Sequence, residues 1–152
     1  MKMDANIRVR TDKRYKMLYN QLKQLVVGDM HELFFICASI GYQNNAKKPL
    51  GKEGEERFWS LTITPEEWCC FYAMILKDNN MNFVMIQDDK KVIGLMEAYA
   101  NAGMEMLIRE CLEDFLLKNR EVIFIDSTAQ KELPKMFLSY VFEKSIETGN
   151  GT

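Results

Sequence analysis

Apolar side chains recur every three to four residues over most of this 152-residue sequence. This is the spacing that places side chains on one face of an α-helix. The first such stripe consists of Tyr15, Leu18, Tyr19, Leu22, Leu25 and Val26, and similar stripes run over 68–75, 92–99, 104–115 and 137–141. With 47% hydrophobic residues and a net charge of −2, the chain can build a core and is not mainly disordered. The sequence therefore predicts a mainly α protein of five or six helices.

The N-terminal segment has a different period. Residues 6–10 alternate polar and apolar side chains, which predicts a strand with Ile7 and Val9 inward and Arg8 and Arg10 outward. Thr11 or Asp12 is expected to cap a first helix that Gly28 ends. A second helix, capped by Asp29 and ending near Gly41, is apolar nearly all round and should be deeply buried.

The rest of the chain divides at a loop rich in Gly, Asn and Lys. We expect a basic strand-helix-helix segment at 1–45, a basic, glycine-containing linker at 46–57, and a helical segment at 58–148 packed with the first as one unit. Thr64-Pro65-Glu66-Glu67 predicts a helix start, Asp88 or Asp89 a second, and Pro134 to about Glu147 a final helix. Short strands are possible at 58–63, 82–87 and 121–126, the last being alternatively helical, and Gly103 is either a break or a glycine inside a helix.

Charge is divided unevenly along the chain. Residues 1–52 hold ten Lys or Arg against four acids, a balance of +6, and residues 53–152 have a balance of −8. A basic half of this kind favours contact with a polyanion, with an acidic partner, or with the acidic half of the same chain.

The order strand, helix, helix is that of the ribbon-helix-helix module, in which two chains pair their strands and place outward residues in the DNA major groove. This hypothesis makes the chain a homodimer that binds double-stranded DNA, with Arg8 and Arg10 contacting bases. Phosphate contacts would come from the nearby basic residues Lys13, Arg14, Lys47 and Lys48. The alternatives are an edge strand with solvated arginines, or an adaptor subunit whose basic half docks on an acidic protein.

The sequence contains no motif that predicts catalysis. Asp78, Asp88 and Lys90 are faintly similar to the carboxylates and lysine of metal-dependent nucleases, but turn and helix capping explains the two acids. His31 is the only histidine, so triad and metal hydrolase mechanisms lack their usual base. We expect a non-enzymatic protein with no cofactor and no metal.

The remaining candidate residues receive structural interpretations. The four cysteines, Cys37, Cys69, Cys70 and Cys111, lack zinc-site spacing and are expected to be reduced thiols in the core. Most methionines are expected in the core as well. Tyr72, Tyr99 and Tyr140 should point inward with a hydrogen-bond partner for each hydroxyl.

Neither a membrane span nor a secretory signal is expected. The longest run free of Asp, Glu, Lys and Arg is residues 33–46, shorter than the roughly 20 apolar residues of a spanning helix. The first residues contain charges and no apolar stretch. We therefore expect a cytoplasmic protein with no membrane contact.

Three segments of the sequence resemble a known group of proteins. Ile7-Arg8-Val9-Arg10, residues 38–42 (ASIGY) followed by residues 47–50 (KKPL), and residues 97–104 (EAYANAGM) look like the small accessory proteins associated with bacterial Dnd DNA-phosphorothioation systems. The similarity spans about residues 7–118. It implies a cytoplasmic bacterial protein acting in defence against phage or foreign DNA, beside other defence-system proteins, and it transfers no catalytic residue.

Overall fold

The computed structural model describes residues 6–119 and 122–150, with only the backbone described at 118, 119, 122, 129 and 145–150. Within these ranges the chain forms five α-helices and two small antiparallel sheets. The mainly α prediction is confirmed, as is the N-terminal order of strand, helix and helix. The helices are α1 (Lys16–Leu22), α2 (Met30–Gln43), α3 (Pro65–Asp78), α4 (Asp89–Leu107) and α5 (Leu133–Asn150). The strands are β1 (Arg8–Asp12), β2 (Gly54–Trp59), β3 (Leu116–Asn119) and β4 (Val122–Ile125).

The predicted N-terminal strand is β1, and it pairs with β2 of the same chain. The two strands are antiparallel, and a bulge shifts the register between Val9 and Arg10. β2 begins inside the segment predicted as a linker and ends at Trp59, so the strand expected at 58–63 starts four residues earlier than predicted. One edge of β1 therefore pairs within its own chain, where the ribbon-helix-helix hypothesis expects β1 to pair with the strand of a second chain.

The first helical region changes its winding twice. A 3₁₀ turn at Lys13–Tyr15 precedes α1, and a π-helical turn at Lys23–Val27 follows it. Asp12 caps the start, its Oδ1 accepting from the Arg14 backbone N at 2.9 Å. Gly28, at φ 92°, ends the region in a conformation that favours glycine.

The starts of α3 and α4 follow local rules that the sequence already displays. Thr64 forms a complete capping box with Glu67, as predicted. Asp88 caps α4 by accepting from the Lys90 backbone N at 3.0 Å. Asp29 occupies the cap position of α2 but its side chain accepts no helix N–H, contrary to the expectation.

The core is centred on α2 and α4, which cross closely. Leu33, Phe34, Cys37 and Ala38 of α2 are fully buried, in agreement with the prediction for the second helix. That helix continues past Gly41 to Gln43. Gly103 lies inside an unbroken α4, which settles the two alternatives left open at that residue.

The two later strand expectations have opposite outcomes. Residues 82–87 form a 3₁₀ turn at Phe83–Ile86 in place of a strand, because the Asn82 side chain accepts from the Val84 backbone N at 3.1 Å and closes the turn. Residues 122–125 form β4, which confirms the strand alternative for 121–126 and pairs with β3. β3 was not predicted, since residues 116–119 continue the helical apolar period.

Among the described residues, no single helix is both long and apolar enough to cross a bilayer. Residues 13–27 and 30–43, taken together as a pair bent by 103°, have the required length and composition. Most of their apolar side chains lie in the core.

Candidate functional site

Arg8 and Arg10, the predicted base-contacting residues, both have partners within the chain. The Arg8 guanidinium lies 4.0 Å from the ring centroid of Trp59 and its Nε is 3.4 Å from Glu56 Oε2. Arg10 Nη2 donates to the carbonyl oxygens of Gly51 at 3.0 Å and Gly54 at 3.3 Å. Arg10 is thereby tied to the turn that precedes β2.

The other four predicted DNA-contact residues lie against acidic or aromatic groups. Lys13 Nζ is 3.1 Å from Glu53, Arg14 Nη2 is 3.3 Å from Asp12, and Lys48 Nζ is 2.6 Å from Glu105. Lys47 Nζ lies 5.6 Å from the ring centroid of Tyr99.

Glu105 of α4 brings Lys48 and Arg14 into one electrostatic neighbourhood. Partial burial by itself would lower the pKa of Arg14. The opposing effects are larger: a hydrogen bond with Asp12 and the negative charges of Tyr15, Asp12 and Glu105. The pKa of Arg14 is therefore raised from its ordinary value. The Glu105 carboxylate thus pairs with Lys48 and also contributes to raising the pKa of Arg14.

These ion pairs connect the basic half of the sequence with its acidic half. Cations of residues 8–48 face carboxylates from the acidic half: Glu53, Glu55, Glu56 and Glu105. In addition, Glu97 Oε2 accepts from the Arg10 backbone N at 2.7 Å. The acidic half of the same chain, one of the three partners that the charge division favours, therefore pairs with these cations.

Arg57 is a buried arginine that the sequence did not single out. Its side chain is 4% exposed, its Nε donates to Thr11 Oγ1 at 2.7 Å, and its Nη2 donates to the Asp12 carbonyl at 3.2 Å. Arg57 therefore joins β2 to the end of β1. It is the last residue of the segment predicted as a basic, glycine-containing linker, and no sequence motif marked it.

The acids compared with nuclease ligands are engaged separately. Asp88 caps α4, and Asp78 Oδ2 accepts from the Tyr99 hydroxyl at 2.8 Å. Asp78 has a tertiary partner in place of the capping role expected. Burial, reinforced by this hydrogen bond, raises the pKa of Tyr99 to about 12.

The prediction for the inward tyrosines is confirmed. The Tyr72 hydroxyl donates to Asp89 at 2.9 Å and the Tyr140 hydroxyl to Glu110 at 2.5 Å. The prediction for the cysteines is confirmed for Cys37, which is buried, and is wrong for Cys69 and Cys70, which are exposed on α3.

His31, the lone histidine, is fixed by a buried carboxylate. Its Nδ1 lies 2.8 Å from Glu67 Oε1, and the two side chains are 16% and 11% exposed. Glu67 thus connects the start of α3 to the start of α2 in addition to completing its capping box.

An exposed apolar segment follows α3. Four large apolar side chains there are between 37% and 65% exposed: Met81, Phe83, Val84 and Met85. We call these four residues the 81–85 patch. Met81 and Met85 depart from the expectation of core methionines, which Met96 and Met104 fulfil.

Comparisons with known proteins identified no relative of this chain. No family model matches the chain, and no curated protein and no solved structure is significantly similar to it.

Proposed function

We propose that this protein is a non-enzymatic interaction subunit that binds a partner protein through the 81–85 patch. The observation that carries the proposal is the exposure of Phe83 (60%) and Val84 (65%) beside the two exposed methionines. Contiguous exposed apolar side chains mark interaction sites on folded proteins, and methionines adapt to the surface that they meet.

The patch is held in place by the backbone around it. Asn80 and Met81 have positive φ values, 54° and 61°, a conformation that costs a residue with a Cβ roughly 1–2 kcal/mol. Hydrogen bonds hold this turn: the Met81 N donates to the Leu76 carbonyl at 2.8 Å, and Asn79 Nδ2 donates to the Ile75 carbonyl at 2.7 Å. A strained turn that presents apolar side chains to solvent supports a binding role.

The charges around the predicted DNA-contact residues also favour a protein partner over DNA. The cations that would meet DNA phosphates are each beside an acid, a carbonyl or an aromatic ring of the same chain. The carboxylates of Glu53, Glu55 and Glu56 pair with Lys13, Lys16 and Arg8 and would repel a phosphate backbone brought close to these cations.

A DNA-associated accessory in a bacterial defence or DNA-modification system, such as a phosphorothioation system, is the second candidate. It is favoured by the exposure of the ion pairs: Arg8 and Lys13 are 41% and 54% exposed. Exposed pairs are worth only about 0–1 kcal/mol, so these cations can be released to phosphate at small cost.

The first experiment places a photo-crosslinking amino acid at position 84 in cells and identifies the protein captured. The interaction is then reconstituted from purified components. Phe83→Ser with Val84→Ser should weaken binding at least about tenfold, because central apolar contacts dominate interface energy. Leu138→Ser, at a residue of α5 that is 61% exposed, is the matched control and should bind as the wild type does.

The second experiment separates the two candidates. Wild-type protein is titrated with duplex DNA at increasing salt, beside Arg8→Ala with Arg10→Ala. Binding that falls steeply with salt and weakens in the double variant would establish the DNA candidate. If position 84 captures no protein and the chain binds DNA in this salt-dependent way, the interaction-subunit proposal is overturned.

A further inference from the structure

We propose that Asp29, His31 and Glu32 bind one divalent transition-metal ion of the Zn²⁺ class, with Glu67 as the residue that positions the imidazole. One ligand atom from each of the three side chains lies within 4.8 Å of the other two. This site is independent of the proposed interaction surface.

The hydrogen bonding of Glu67 determines which histidine nitrogen faces the site. Glu67 Oε1 accepts from the Thr64 backbone N at 2.9 Å and lies 2.8 Å from His31 Nδ1. Because the carboxylate accepts a hydrogen bond, we assign the donor role to Nδ1, and in the neutral form of the ring the lone pair is then at Nε2. A carboxylate behind a histidine is the usual arrangement that orients a metal ligand and raises its basicity.

The Asp29 carboxylate lies on the Nε2 side of the His31 ring. Asp29 stands at the cap position of α2, yet its side chain accepts no helix N–H, although this is what an aspartate in that position normally does. Its Oδ2 instead lies 4.0 Å from His31 Nε2, too far for a hydrogen bond. Two ligand atoms on one Zn²⁺ ion, each about 2.1 Å from it, are separated by roughly 3–4 Å.

The donor set indicates the class of ion. Imidazole nitrogen with two carboxylates suits Zn²⁺ and its neighbours better than Mg²⁺ or Ca²⁺, which prefer oxygen alone. Asp29 and Glu32 are exposed, so their carboxylates are free to rotate onto an ion held by His31. The positive end of the α2 dipole opposes a cation, so we expect affinity in the micromolar range, with water completing the coordination.

The test uses the fact that the chain has one histidine. The His31 ring gives a single set of NMR signals, which report on this site and on no other. Zn²⁺ is titrated into protein carrying Cys69→Ser and Cys70→Ser, which removes the two exposed thiols as competing ligands. We expect the ring signals to shift and to saturate at one equivalent of Zn²⁺.

Variants identify the remaining ligands. Asp29→Asn with Glu32→Gln should weaken Zn²⁺ binding at least tenfold, whereas Glu66→Gln, at an exposed acid of α3, should not change it. Glu67→Gln retains a capping box and should weaken binding about 10- to 100-fold by loosening the ring. Circular dichroism and thermal unfolding confirm that each variant is folded.

Two results would overturn the site. Ring signals that do not move at millimolar Zn²⁺ would show that Nε2 binds no ion. An unchanged affinity in the folded Asp29→Asn, Glu32→Gln variant would show that the imidazole binds Zn²⁺ without the two carboxylates.

Discussion

Gly103 of α4 lies directly against the carbonyl group of Cys37 in α2. A Cβ added at Gly103 would overlap this carbonyl oxygen, and one added at Gly41 would overlap the carbonyl oxygen of Tyr99. Each helix therefore places a glycine against the backbone of the other. This reciprocal contact sets the distance between the two helices that form the centre of the core.

The first prediction concerns this contact. Gly103→Ala should destabilise the protein by about 3 kcal/mol, because overpacking a tight contact costs that much when only backbone can yield. Gly94 is the matched control, since it lies in the same helix with no atom within 4 Å of an added Cβ. Gly94→Ala should stabilise by about 0.5–1 kcal/mol through helix propensity.

Urea unfolding of both variants measures the two effects. Opposite signs are the expected outcome. Equal stabilisation by the two alanines would contradict the close crossing of α2 and α4.

The sequence predicted those parts of the fold that local chemistry determines. The Thr64 capping box and the apolar, buried second helix depend on neighbours within a few residues, and both are present. The pairing of β1 with β2 depends on residues about 45 apart, such as Thr11 and Arg57, and no local pattern shows it. The same limit explains the paired cations, because the charge balance of a segment does not reveal which carboxylate folds against it.

The sequence named the residues of the candidate DNA-contact site but did not predict their partners in the folded chain. Val9 is buried, whereas Arg8 is exposed and Arg10 is half-buried, which fits the alternation expected for residues 6–10. The partners of the two arginines are Trp59 of β2 and Gly51 of the turn that precedes β2. Sequence periodicity could not show that these two residues lie next to β1. The sequence did not predict the 81–85 patch, because residues 82–87 were expected to form a short strand and Met81 and Met85 were expected in the core.

The second prediction compares the contributions of the buried Arg57 and the exposed Arg8 to stability. Arg57→Ala should destabilise by about 2–3 kcal/mol, because it removes charged hydrogen bonds and leaves the buried Thr11 hydroxyl without its donor. Arg8→Ala should change stability by less than about 1 kcal/mol, since its pair with Glu56 is exposed. Chemical denaturation of the two variants checks this, and similar losses in both would contradict the burial of Arg57.

The third prediction concerns thiol reactivity. Cys69 and Cys70 are exposed and should react rapidly with Ellman's reagent in the native protein. Burial raises the pKa of Cys37 to about 12 and that of Cys111 to about 11, so both should react slowly. Cys69→Ser with Cys70→Ser should abolish the fast phase, and a fast phase that persists would place another thiol at the surface.

The last prediction is a loss of stability at alkaline pH. Burial raises the pKa of both Tyr15 and Tyr99 from 10.0 to about 12 in the folded protein. The unfolded chain therefore releases these protons first, so the stabilisation is complete below pH 10 and is lost as the pH rises toward 12.

Absorbance at 295 nm, followed together with far-ultraviolet circular dichroism, measures tyrosine ionisation and unfolding in one titration. The buried tyrosines should ionise only as the helical signal falls. Tyr99→Phe removes one of these groups and should make stability fall less steeply over this pH range. Its cost at neutral pH should be only about 1 kcal/mol, because the Asp78 carboxylate that loses the hydrogen bond is exposed. Ionisation of every tyrosine near pH 10 in a fully helical protein would contradict the burial on which this prediction rests.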